Sequence, residues 1–121
     1  MVRIGLGIVL GASTLAQVVI NEIHYNPDIR TERVEFIELH NAGDMAVDLA
    51  GWRFSSGVEF TFPAVVIPPG GYLVVAENPT SLKAKFGTDS VGPFSGNLSK
   101  YGERVVLRDA AGDITDEVEY Q

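Results

Sequence analysis

The chain carries two histidines, His24 and His40, and no cysteine, so a histidine-dependent nucleophile, metal centre or general base must use one of these two positions. Both sit among apolar neighbours in runs with strand-like alternation. Neither belongs to a His-Glu-x-x-His motif, and no Gly-x-Ser-x-Gly motif occurs. They read as strand-face imidazoles making local hydrogen bonds. Glu22, Glu35 and Glu38 are the carboxylates that acid and base work would draw on. Glu35 and Glu38 are three positions apart in a strand and project to opposite faces, so they cannot form the pair, about 5 to 9.5 Å apart, that a glycosidase needs. Glu22, Glu38 and Asp116 share parity with apolar neighbours. That predicts partly buried carboxylates satisfied by a backbone amide or by an arginine such as Arg53 or Arg104. Asp44 with Asp48, and Asp109 with Asp113, flank two turns and are the candidate oxygen ligands for calcium. Neither turn has EF-hand spacing, and aspartate serves such turns locally. The sequence thus presents no catalytic, cofactor-binding or metal-binding set. Among the amphipathic residues Tyr25, Tyr72, Tyr101 and Tyr120, Tyr72 is expected in the core. Tyr101, beside Lys100 in a glycine-bearing loop, is the surface candidate. Asn97-Leu98-Ser99 fits a glycosylation triplet, which matters only in a eukaryotic secretory route.

The elements that must hold these groups are short. After Gln17, apolar and β-branched runs are punctuated by turn residues, with one helical segment, which predicts an all-β domain. A first strand spans residues 18–25 and stops at Asn26-Pro27-Asp28, where proline withholds a ladder donor. In residues 34–40, Val34 and Phe36 share one face and Ile37 and Leu39 the other, as in a central strand covered on both sides. Asn41-Ala42-Gly43-Asp44 is a turn by composition. A bend at Gly51 would bring Val47, Leu49, Trp52 and Phe54 to one buried face, with Trp52 at the core centre. Phe60 and Phe62 mark a further strand, Ile67-Pro68-Pro69-Gly70-Gly71 a rigid turn, and residues 72–76 a buried strand. Asn78 and Pro79 open a two-turn helix with Leu82 and Phe86 on one face, and Gly87 closes it. A glycine-bearing loop over residues 92–102 has Phe94, Leu98 and Tyr101 to pin it. Residues 104–109 and 114–120 form the closing hairpin around Gly112. About seven strands, with turn signals every 8 to 12 residues, predict an immunoglobulin-like β-sandwich.

The 121 residues suit one domain, and 16 acidic against 9 basic side chains give a net charge of -7, which disfavours binding to a nucleic-acid backbone. The absence of cysteine excludes a disulfide scaffold and a thiolate zinc site. Met1-Val2-Arg3, the apolar run over residues 4–11 and the small residues up to Thr14 and Ala16 have the order of a secretory signal. Residues 1–16 are therefore expected to be cleaved, leaving a domain over residues 17–121 that is secreted or held at the cell surface. The rival reading is a membrane anchor, for which the low-polarity run over residues 4–20 is marginal against the roughly 20 residues of a span.

Asn21-Glu22-Ile23-His24-Tyr25-Asn26-Pro27, then Glu35-Phe36-Ile37-Glu38-Leu39-His40-Asn41, then Asp48-Leu49-Ala50-Gly51-Trp52, resemble the opening of a lamin tail domain of the bacterial secreted type. Phe62-Pro63, the run from Ile67 to Ala76, Val105-Val106-Leu107-Arg108-Asp109 and Asp116-Glu117-Val118-Glu119-Tyr120 continue the likeness in order. The resemblance covers residues 18–120. It implies an immunoglobulin-like sandwich without catalytic residues, used as a structural or interaction module toward protein or cell-surface components, with no cofactor. It also implies a second role to weigh, an accessory domain of an exported nuclease or phosphatase; the acidic composition, apart from the resemblance, adds a third, a calcium-dependent adhesion module. The nuclear-filament role of animal relatives is not implied, because the chain has no heptad rod and ends without a prenylation box. Family members commonly continue past the final tyrosine as parts of longer chains. A missing segment would open a sheet edge to oligomer formation.

Overall fold

A computed structural model describes residues 2–3, 17–25 and 33–120. The apolar run of the expected signal, its cleavage positions Thr14 and Ala16, the Asn26-Pro27-Asp28 stop and Gln121 lie outside these residues. The strands are β1 (Val2–Arg3), β2 (Val18–His24), β3 (Phe36–Asn41), β4 (Val47–Asp48), β5 (Arg53–Ser56), β6 (Phe60–Thr61), β7 (Val66–Ile67), β8 (Tyr72–Ala76), β9 (Glu103–Arg108) and β10 (Ile114–Tyr120). One helix, α1 (Pro79–Phe86), follows β8. It is too short to cross a membrane. The strands form two antiparallel four-stranded sheets, ordered β1-β2-β3-β8 and β10-β9-β5-β6, with β4 and β7 as a separate pair. This is the mostly β, immunoglobulin-like architecture expected of the alternation.

The two sheets bury one core between them. Ile20, Ile23, Ile37, Leu39 and Val75 come from the first sheet, Phe54, Val105 and Leu107 from the second, and Leu49 and Ile67 from the segments that link them. Period 2 would send Ile20 and Ile23 to opposite faces, yet both are buried in this core. The register slips between Ile20 and Glu22, and the extra residue of this bulge restores the inward face. The same slip turns Glu22 and His24, which share parity with Ile20, onto the outer face. The β2 edge is tied to the other sheet where the Ile20 amide donates to Asp116 Oδ2 on β10 (2.8 Å).

Local signals place the connections. Gly71 N donates to the Pro68 carbonyl (2.9 Å) with Gly70 at φ 74°, a type II turn in which only glycine takes the third position without strain. Asn78 Oδ1 accepts from Ser81 N (3.0 Å), Pro79 fills the first turn, and Gly87 closes α1 at φ 71° with its N–H on the Lys83 carbonyl. Beyond the helix the chain returns along β8. Val91 accepts from Ala76 N and donates to the Val74 carbonyl, and Gly92 lies so close to the Ala76 carbonyl that any Cβ would collide with it.

Two expectations need correction. Trp52 is only partly buried at the rim, and Phe54, tilted against Phe62 at 5.5 Å, occupies the interior. The cause is the tight turn at Ala50 and Gly51, closed by Trp52 N on the Leu49 carbonyl, which leaves Leu49 inside and the bulky indole at the margin. Tyr72 is 56% exposed rather than in the core. Leu73 and Val75 take the inner face of β8, so Tyr72 is left on an outer face that α1 does not reach.

Candidate functional site

The outer face of β2, β3 and β8 gathers the polar and aromatic groups that the core rejects. Cross-strand register sets His24 opposite Phe36, Glu22 opposite Glu38 and His40 opposite Tyr72. The His24 ring stacks on Phe36 at 5.0 Å with 8° between planes, and Phe86 meets it edge-on at 6.0 Å. Phe86 is brought there by the helix. Leu82, wholly buried with Val34 and Ala76, anchors α1 to the sheet, and Phe86 one turn later hangs over the sheet's end, 50% exposed. Glu22, Glu38 and Val74 complete a mainly apolar groove of about 350 Å³ around these rings.

The electrostatics of the groove follow from its walls. Burial lowers the proton affinity of His24, and its Nδ1 is enclosed without a hydrogen-bond partner among the described residues. Glu38 Oε1 accepts from Asn21 Nδ2 (2.8 Å), so the bulge residue also orients this carboxylate. At the far end of the face His40 Nδ1 donates to the Gly71 carbonyl (3.1 Å) and its ring stacks on Tyr72 at 4.3 Å. Four residues of β3 separate the Phe36 and His40 positions. At about 3.3 Å per residue the two histidine stacks are roughly 13 Å apart, too far for a shared proton or metal.

The remaining sequence candidates fall in separate places. Glu35 is buried on the opposite side from Glu38 and accepts from Leu98 N (2.9 Å), a contact that fixes the glycine-bearing loop. Asp116 accepts from Ile20 N and Glu117 N, the amide partners expected, and burial raises its pKa. Arg104 pairs instead with Glu117 (2.7 Å). Asp48 accepts from Ala50 N, and Asp109 from both Ala111 N and Asp113 N, so these aspartates serve their own turns. Among the described residues no group of three or more His, Cys, Asp or Glu side chains is gathered to hold a metal. Tyr120 stacks on Tyr25 at 5.5 Å and donates to the Ser99 carbonyl (2.6 Å), while burial pushes its phenol pKa upward. Tyr101 is 83% exposed, with Lys100 Nζ 5.3 Å from its ring.

Sequence reasoning missed Phe36, Val74 and Phe86 as parts of a surface site. The signal for Phe36 is the second apolar face of β3, and that for Phe86 its spacing of four from Leu82 on one helix face. Asn41 caps its turn as expected and does more besides. It is wholly buried, donates to the Met45 and Ile67 carbonyls and accepts from Gly43 N, tying β3 to the segment around β7.

No curated protein matches the chain. The family model described as Lamin Tail Domain matches residues 11–121, a span that contains every element from β2 to β10. With this match added to the sandwich of alternating strands, the chain belongs to the lamin tail domain family.

Proposed function

We propose that the chain is an exported, non-catalytic interaction module that binds a protein or another cell-surface component through the outer face of β2, β3 and β8. One observation carries this reading: two aromatic and histidine stacks, His24 with Phe36 and Phe86, and His40 with Tyr72, lie partly exposed on one rigid sheet face. Large rings presented by a rigid element lose little entropy when covered, and such residues dominate binding energy at interfaces. On this face His24 stacks on rings and His40 holds a backbone carbonyl, contacts that support a binding role for both imidazoles. The family is one of immunoglobulin-like domains that often mediate protein interactions, which supports the same reading. Export rests on the order of charge, apolar run and small residues at the N-terminus.

The test is quantitative binding of the purified protein to cell envelopes of the producing organism. The double variant Tyr72→Ala with Phe86→Ala is expected to bind about tenfold more weakly or worse, with stability lowered by about 0.5 to 1.5 kcal/mol per site and the fold retained by circular dichroism. Unchanged binding would remove the outer face as the interface. Hydrolytic turnover that survives rigorous purification would move the chain to the enzyme class.

A further inference from the structure

The edge of β2 has a consequence for the kind of partner this module takes. In the first sheet the β8 side is covered by the chain returning through Val91, whereas among the described residues β2 carries only the two-residue β1. Asp116 takes the Ile20 amide and closes one half of that edge. At the other half, Val2 stands opposite Ile23 and Arg3 opposite Glu22. Both residues of β1 belong to the stretch proposed to be removed on export, and its departure would leave a row of unpaired backbone groups.

We propose that the β2 edge at Glu22 and Ile23 is a strand-acceptor site for an extended segment of a partner protein, with a basic residue opposite Glu22 and an apolar one opposite Ile23. Directly opposed residues of an antiparallel pair share a face. A guest residue opposite Ile23 therefore lies on the core side, where Ile23 is wholly buried. A guest residue opposite Glu22 lies on the outer side, beside the groove walled by Glu22, Glu38, His24 and Phe86. Glu22 is only 6% exposed and stands opposite Arg3 of β1 in the register, so a guest strand that takes the place of β1 keeps this charge match by setting a basic residue there. Main-chain bonds would supply affinity and the two side chains specificity, as in other strand-addition complexes. A second copy is the poorer occupant: two β2 edges paired antiparallel about this point bring their Glu22 carboxylates together, between chains that without Arg3 each have 16 acidic against 8 basic side chains. The proposal rests on the interaction reading above and adds the backbone form of the partner.

The experiment uses the full chain carrying Val2→Pro and Arg3→Gly, which vacates the edge because proline cannot join the ladder. The probes are acetyl-Thr-Val-Arg-Val-Thr-amide and its counterpart with glutamate in place of arginine, titrated while backbone amide resonances are followed. Saturable shifts confined to residues around Glu22 and Ile23 are expected. Affinity should fall about tenfold or more for the glutamate probe, and likewise for the unaltered chain, whose β1 competes. No shift at about millimolar probe, or equal affinity for both probes, would overturn the proposal. So would a vacated chain that sediments as a dimer and ignores the probes, which would give the edge to a second copy. Because the Tyr72 and Phe86 assay does not use this edge, failure here leaves the outer-face reading standing.

Discussion

Burial of His24 against Phe36 favours the neutral imidazole, and that preference makes stability depend on pH. Its folded pKa lies below the ordinary value of 6.5, so the unfolded chain takes up the proton first as pH falls. Stability contributed by neutral His24 is therefore complete above about pH 6.5 and is lost as pH drops toward the lowered folded value. Glu22 and Glu38 face the ring from the same sheet, and Lys85 acts on it from the helix. The variant His24→Phe keeps an aromatic stack but has no proton to gain. It should lose less melting temperature than the parent between about pH 7 and pH 5, measured by circular dichroism. Asp116 has the opposite sign. Burial raises its pKa above 3.8, so the folded chain holds the proton to higher pH than the unfolded chain. The ionisation penalty is absent below that ordinary value and complete above the raised one, and stability falls through the window as pH rises. Asp116→Asn keeps an acceptor for Ile20 N–H and removes the penalty, so its urea stability should lack this dependence between about pH 3 and pH 7. Asp116→Ala should cost about 1 to 3 kcal/mol by stranding that amide. The amide partner of Asp116 was legible from parity with its apolar neighbours. The partner of Glu35 was not, because Leu98 lies 63 residues away and nothing local points to it.

At the level of elements, what could be read was whatever the backbone encodes within a few residues. Asn78 and Gly87 bracket a helix because a side-chain oxygen can satisfy an orphan amide and glycine alone adopts the left-handed closure freely. Replacing Asn78 with alanine should lower stability by about 1 kcal/mol in chemical denaturation. It should also loosen Phe86 over His24, seen as a change in the ring-current shift of the imidazole protons. An unchanged imidazole environment would mean that Leu82 alone positions the helix. The bulge in β2 was not legible. Alternation alone set Glu22 and His24 beside Ile20, and only pairing with β3 reveals that the extra residue sends them outward. The groove on the outer face exists because of that single slip, so no scan of β2 in isolation would have found it.

At the level of the molecule, alternation specifies two faces for each strand but not which of them another layer will cover. That is why Tyr72 was placed inside: its strand is apolar on both parities, and only the reach of α1 decides that Val74 is partly covered and Tyr72 is not. The same ambiguity misplaced Trp52. Size made the indole a natural centre, but a sandwich about 10 Å thick is filled by residues that point straight between its sheets, and the Ala50 and Gly51 turn gives that position to Leu49 and Phe54. Stability should follow burial rather than side-chain volume. Phe54→Ala removes a ring that is 2% exposed and packed on Phe62, and should cost about 3 to 5 kcal/mol. Trp52→Ala vacates a rim position whose neighbours and water can close in, and should cost about 2 kcal/mol, although it deletes the larger side chain. Urea unfolding of the two variants decides the point. If Trp52→Ala proved the more damaging, the centre of the sandwich would lie at the indole and the layer arrangement described for β5 and β6 would be wrong.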